Sequence, residues 1–237
     1  MSRKTRKIRA NNKSQEMHES RNNRRVMIVG SVMALLFALV AATVLYMTED
    51  PQSSQPEAAA RQAALASGHS PALGDSGAKV HIVEFLDPAC GTCALFFPIV
   101  KQWMAQNPGK IRLSVRHVAF HNGSDYAVRI LEASRKQGKY WQTLEALLAS
   151  QQQWVSNHTV QQNRVVPAIA RVGLNIDQLM ADMDAMEVSS RIEQDRKDSI
   201  LLKVSATPEY FVNGRPLPSF GQEQLRILIG EELAKAY

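Results

Sequence analysis

The chain has 237 residues, room for one ordinary domain and an appendage, and its 45% apolar content supplies a sizeable core. Of 28 basic and 22 acidic residues, nine basic ones (Arg3, Lys4, Arg6, Lys7, Arg9, Lys13, Arg21, Arg24, Arg25) and two acidic ones (Glu16, Glu19) fall within residues 1–25, so the rest carries 19 basic and 20 acidic groups. A body this close to neutral has no basic face for phosphates, which argues against a nucleic-acid-binding domain.

The basic tail, residues 1–25, is followed by Val26–Tyr46, twenty-one residues without a charge. At a helical rise of about 1.5 Å per residue such a run spans about 30 Å, the thickness of a hydrocarbon core. Basic residues before it and Glu49-Asp50 after it predict a single-pass transmembrane helix with the N-terminus in the cytoplasm and the remainder outside. The rival is a cleaved signal peptide, because Val40-Ala41-Ala42 resembles a small-residue cleavage site. Gly30, Ala34, Ala38 and Ala42 repeat every four residues, which ordinary alanine usage in membrane helices explains best; the alternative is a small-residue face through which two such helices pair as a homodimer.

Residues 47–78, rich in Ser, Gln, Pro, Gly and Ala, read as a tether with a short helical stretch at Glu57–Ser67. The globular signal starts at Lys79. Val80–Leu86 is a short apolar run suited to a buried strand, Asp87-Pro88 breaks it, and Ala94–Asn107 has helical apolar spacing. Ile111–Phe120 is a second strand and His121–Ser124 a turn. Helical patterns then fill about residues 125–204, at Asp125–Lys136, Lys139–Gln152, Gln162–Val172, Ile176–Asp184 and Val188–Val204. Thr207–Pro216 returns to a strand and a hairpin turn at Asn213-Gly214, and Gln222–Ala236 is a closing amphipathic helix.

The two cysteines, Cys90 and Cys93, bracket Gly91-Thr92 after a strand and a proline turn, at the start of a helix. Unpaired N–H groups and the helix dipole favour an anion there, so an exposed, low-pKa Cys90 is the expected attacking thiolate and Cys93 the resolving thiol. A purely structural disulfide would close a very small loop and constrain the unfolded chain little. A zinc or copper site with His117 and His121 is the other alternative, set against the 23-residue gap from Cys93 and the strand position of both histidines. Glu84 lies inside the apolar strand, where burial raises its pKa and fits it to exchange a proton with Cys93; the alternative is an ion-paired structural glutamate.

These segments resemble DsbA-like proteins, a branch of the thioredoxin superfamily. Ser70–Asp75 with Val80–Cys93, then His117–Phe120, then Thr207–Gly214 match three family segments in order, and the resemblance covers about residues 70–237. It implies an α/β thioredoxin-like fold in residues 79–237 with a helical domain inserted between Cys93 and Pro208. It implies Cys90 as nucleophile, Cys93 as resolving cysteine, Glu84 as the buried acid, and a cis bond at Thr207-Pro208 beside which a client binds, with Thr207, Gly91, Thr92 and Glu209 lining that place. No cofactor or metal is implied. The activity expected is thiol–disulfide exchange on cysteine-containing envelope proteins, most simply oxidation coupled to a DsbB-type membrane partner. A reductase or isomerase role and a redox-inert peptide-binding module are the alternatives. The chain departs from the pattern at Gly91-Thr92, where strongly oxidising members carry Pro-His, at Glu209, and at Ala89, where many tethered cytochrome-maturation reductases carry tryptophan.

Overall fold

The computed structural model describes Met33, residues 35–41 and residues 51–237, the side chains of residues 51–56 excepted. The chain divides into two units, Met1–Glu57 and Ala58–Tyr237. In the first, Met33 and residues 35–41 are helical, with Leu35, Leu36, Phe37 and Leu39 exposed. The basic tail 1–25, most of the expected span 26–46, and the small-residue positions Gly30, Ala34 and Ala42 lie outside the described residues. Among the described residues no helix is long and apolar enough to cross a membrane.

The second unit is built on a five-stranded sheet of order β1-β3-β2-β6-β7. Its strands are β1 (Ala72–Leu73), β2 (Val80–Leu86), β3 (Ile111–His117), β6 (Glu209–Val212) and β7 (Arg215–Pro216). The central strand β2 runs parallel to β3, with Glu84 opposite Val115, and antiparallel to β6, with Glu84 opposite Tyr210. Its sequence explains its place: apart from His81 every residue is buried, so both faces must be covered. Successive side chains alternate between faces. Ile82 and Leu86 join the larger core with Cys93, Phe96 and Val100, whereas Val83 and Phe85 join a smaller core on the opposite face with Phe211, Val118, Leu202 and Ala64.

Helix α2 (Gly91–Gln106) connects β2 to β3 and contributes Cys93, Phe96, Phe97 and Val100 to the larger core. The insertion follows as α3 (Ser124–Ser134), α4 (Tyr140–Ala149), α5 (Gln151–Trp154), the small hairpin β4 (Val155–Ser156) and β5 (Thr159–Val160), α6 (Gln162–Ala168), α7 (Ile176–Asp182) and α8 (Met186–Leu201). Trp154, Leu144, Leu147 and Ile130 make its interior continuous with the larger core. The α/β thioredoxin-like architecture with a helical insertion is thus the one expected from the sequence. Asn213 and Gly214, both at positive φ, make the two-residue turn between β6 and β7. Helix α9 (Gln222–Ala236) closes the chain.

Within the segment expected as a tether, 47–78, the described residues 51–78 carry more order than composition suggests. Helix α1 (Pro51–Leu65) ends on the smaller core, where Ala64 is buried and Leu65 packs beside it. The Ala64 carbonyl accepts from Arg116 Nη1 at 2.6 Å and the Leu201 carbonyl from Arg61 Nη1 at 3.0 Å. These backbone contacts are invisible to composition.

Candidate functional site

The site sits where β2 ends and α2 begins. Asp87 terminates the strand, and its fully buried carboxylate gathers the surrounding loops. Oδ1 accepts from the Ala89 N–H at 2.8 Å; Oδ2 accepts from the N–H groups of Phe120 (2.7 Å) and His121 (2.8 Å), from His121 Nδ1 (2.8 Å) and from Ser124 Oγ (3.1 Å). The loop carrying the first cysteine is thereby bound to the loop leaving β3. On its other side the Gln151 amide nitrogen, from α5, donates to the carbonyls of Pro88 (2.8 Å) and Cys90 (3.0 Å).

Cys90 occupies the N-cap of α2 in extended conformation, and Cys93 follows one turn later; both are free thiols. Cys93 is fully buried, as a resolving thiol inside the core would be. Cys90 was expected exposed, but only 6% of its surface meets solvent. The chain around the Thr207-Pro208 bond covers it: that bond is cis, and the Cys90 Sγ–H donates to the Thr207 carbonyl at 3.2 Å.

The two thiols are driven in opposite directions. Cys90 is brought from 9.0 down to about 5, first because the Cys93 thiol donates to its sulfur; burial opposes this, and the Thr207 side chain and the N–H groups of Cys93 and Thr92 add to it. Cys93 is pushed well above its usual value by burial, by donating to Cys90, and by the nearby charges of Glu84 and Cys90. Glu84 is pushed up to about 8 by burial, against a hydrogen bond from Tyr210 and with help from the Cys90 charge. Its Oε1 accepts from the Tyr210 hydroxyl at 3.0 Å, while Oε2 has no protein partner. Among the described residues Glu84 therefore has no ion pair, and it is a buried acid sharing a sheet face with Cys93.

Beside the cysteines a groove of about 500 Å³ is lined by Thr92, Thr207, Pro208, Glu209, Leu217 and Phe220, among others. Its wall is apolar at Pro208, Leu217 and Phe220, whose exposed ring packs 4.9 Å from Phe96. Thr92, Thr207, Pro208 and Glu209 thus fall together on one groove, and Gly91 lies on its own side of the active turn, against Gln151. The histidines weighed as metal ligands have separate partners. His117 is buried against the Tyr140 hydroxyl at 2.7 Å, and His121 is held by Asp87. Asp87 and Gln151 were not singled out by sequence reasoning. The only signal for Asp87 was its place between an apolar strand and a proline, and Gln151 lay in an unremarkable glutamine run.

A thioredoxin family model matches residues 66–231. The chain belongs to the thioredoxin family. Among solved structures this thioredoxin-family chain is similar to a thioredoxin-like oxidoreductase from Silicibacter pomeroyi, at 29% identity, TM-score 0.64, over 75% of this chain and 99% of that one. Its fold is also that of α-DsbA1 from Wolbachia pipientis, at 20% identity, TM-score 0.62, over 72% and 94%. Among curated proteins it is 26% identical to disulfide bond formation protein D of Bacillus subtilis, over 69% of this chain and 77% of that protein. It is 29% identical to a Na(+)/H(+) antiporter NhaA of Herminiimonas arsenicoxydans over 61% of this chain, yet spans only about a fifth (22%) of that antiporter's length. The structural neighbours of this thioredoxin-family chain include DsbA-like oxidoreductases.

Proposed function

We propose that the chain oxidises pairs of thiols in envelope proteins by exchanging its Cys90–Cys93 disulfide, from a position tethered to the bacterial inner membrane by residues 26–46. The observation that carries this reading is the polarity of the cysteine pair: a thiol brought down to about 5 at a helix N-terminus, backed by a buried thiol pushed up. A client thiolate attacks Cys90 Sγ, the Cys90–Cys93 bond breaks, and Cys93 leaves as a thiolate. Glu84, protonated below about pH 8, supplies the proton that Cys93 takes up. The client's second thiolate then attacks the client sulfur of the mixed disulfide, and Cys90 departs as a thiolate. The client gains a disulfide, the two electrons remain on Cys90 and Cys93, and a DsbB-type membrane partner removes them.

The leaving group supports this direction. Stabilising the Cys90 thiolate stabilises the reduced protein, and this makes the disulfide a stronger oxidant. The groove lined by Thr207, Pro208 and Phe220 suits an extended client segment laid beside Cys90. Alkylation trapping in intact cells tests the reading. A predominantly disulfide pool, with accumulation of reduced envelope clients in a Cys90→Ser strain, is expected. A predominantly dithiol pool would reverse the direction to that of a reductase, and unchanged client oxidation in Cys90→Ser would remove exchange altogether.

A further inference from the structure

The helical insertion reaches the redox site through one side chain. Gln151, the first residue of α5, points its Nε2 at two carbonyls, those of Pro88 at 2.8 Å and Cys90 at 3.0 Å. An amide nitrogen carries two N–H groups, so each carbonyl takes one, and the side chain clamps both sides of Ala89. The Cys90 carbonyl also accepts from Ala94 N–H at 3.2 Å, the first hydrogen bond of α2. The clamp thus grips the helix at the peptide unit that follows Cys90. A Cβ on Gly91 would lie 3.7 Å from Gln151 Oε1, so the amide lies against the Gly91-Thr92 turn itself.

We propose that Gln151 is a positioning residue for the Cys90 thiolate, and that through it the inserted domain tunes the redox site. The inference rests on the exchange reading above. Holding the carbonyls of Pro88 and Cys90 fixes the Cys90–Gly91 peptide plane and the first turn of α2. The N–H groups of Thr92 and Cys93 that face the sulfur keep their aim because that turn cannot swing. The positive end of the Gln151 amide dipole is also turned toward the Cys90 backbone. The other titratable groups at the site are Cys93, Glu84, Tyr210, Asp87, His121 and Glu209.

The test compares the full-length reduced chain with Gln151→Met, which keeps size and loses both donors, and Gln151→Glu, which sets a carboxylate against two carbonyls. The thiolate absorbance of Cys90 is titrated, and the equilibrium protein disulfide + 2 glutathione ⇌ protein dithiol + glutathione disulfide is measured. The Cys90 midpoint is expected to rise by about half a unit to one unit in Gln151→Met and further in Gln151→Glu. The equilibrium should move by about threefold to tenfold toward the protein disulfide. A role as a mere staple would lower the thermal midpoint and leave both readings at the wild-type value, and that result overturns the proposal. If Gln151→Glu fails to fold, Gln151→Met decides alone. A wild-type protein that does not exchange with glutathione would sink the functional reading, while the thiolate titration would still report on Gln151.

Discussion

Glu84 and Tyr210 face each other across the antiparallel β2–β6 pair, and the Tyr210 hydroxyl donates to Glu84 Oε1 at 3.0 Å. That single bond does not offset the burial of the carboxyl, whose pKa is pushed up to about 8. The folded chain therefore holds this proton where the unfolded chain has released it, from the ordinary value of 4.5 upward. Where the folded state binds more protons, stability falls as pH rises. Glu84 should thus weaken the fold between about pH 4.5 and 8, by at most about 1.4 kcal/mol per pH unit. Urea unfolding of wild type and Glu84→Gln should show the variant gaining on wild type as pH rises through this window. The same variant should lose the proton supply to Cys93 and slow opening of the disulfide. Equal pH slopes in the two proteins would count against a buried neutral Glu84.

The Cys93 thiol is the largest influence lowering Cys90. A hydroxyl can replace it as donor to the thiolate and a methyl cannot. Cys93→Ser should therefore keep most of the shift, while Cys93→Ala should raise the Cys90 titration midpoint clearly above about 5. Ultraviolet thiolate titration of the two variants checks this. Indistinguishable midpoints would place the stabilisation in the backbone N–H groups and Thr207 instead.

Asp87 satisfies five donors from a fully buried carboxylate. Asp87→Ala strands them beneath the active turn, and a buried unsatisfied donor costs about 1–3 kcal/mol. Partial relaxation and entering water reduce the sum, and a loss of about 3–4 kcal/mol is expected in urea unfolding. Asp87→Asn keeps one oxygen acceptor, and of the five partners only the Ser124 hydroxyl and His121 Nδ1 can accept from its NH2, so it should lose less than Asp87→Ala. A stability within about 0.5 kcal/mol of wild type would show that the loops hold together without Asp87.

Much of this molecule could be read locally. A β-branched apolar run, a cysteine pair at a helix start, a glutamate among apolar residues and an Asn-Gly turn are short-range signals, and they led to β2, α2, Glu84 and the β6–β7 hairpin. The residues that escaped depend on long-range pairing. Asp87 serves as a hub because parallel β2 and β3 deliver residues 120–124 to it, and Gln151 meets Cys90 only once the insertion has folded back. His117 and His121 have ligand-like spacing, yet their partners Tyr140 and Asp87 lie in different elements. Arg116 was the clearest missed signal: a charge beside Val115 near the end of a buried strand needs a partner, and Asp195 and Asp198, three residues apart on α8, provide two.

Arg116 is fully buried between Asp195, at 2.5 Å from its Nε, and Asp198, and its ring-side neighbour is Phe85 on the sheet face away from Cys93. Asp195 also accepts from the ring of His69 at 2.7 Å and from the His117 N–H at 2.8 Å. Burial would raise its pKa, but His69, Arg116 and the His117 N–H outweigh burial and hold it below 3.8, so its contribution is present above that value and is lost as pH falls through it. Arg116→Met removes the cation that pairs with both buried carboxylates and should cost about 3–5 kcal/mol in urea unfolding. A chain beginning at residue 58 keeps the Ala64 carbonyl and His69, whereas one beginning at residue 70 loses both. The shorter chain should be less stable by about 1–3 kcal/mol. Because the network lies across the sheet from Glu84 and Cys93, the Cys90 thiolate titration should coincide in the two chains wherever both are folded. Equal urea midpoints would mean that residues 58–69 contribute nothing to the fold, and a displaced thiolate midpoint would mean that the two sheet faces are coupled.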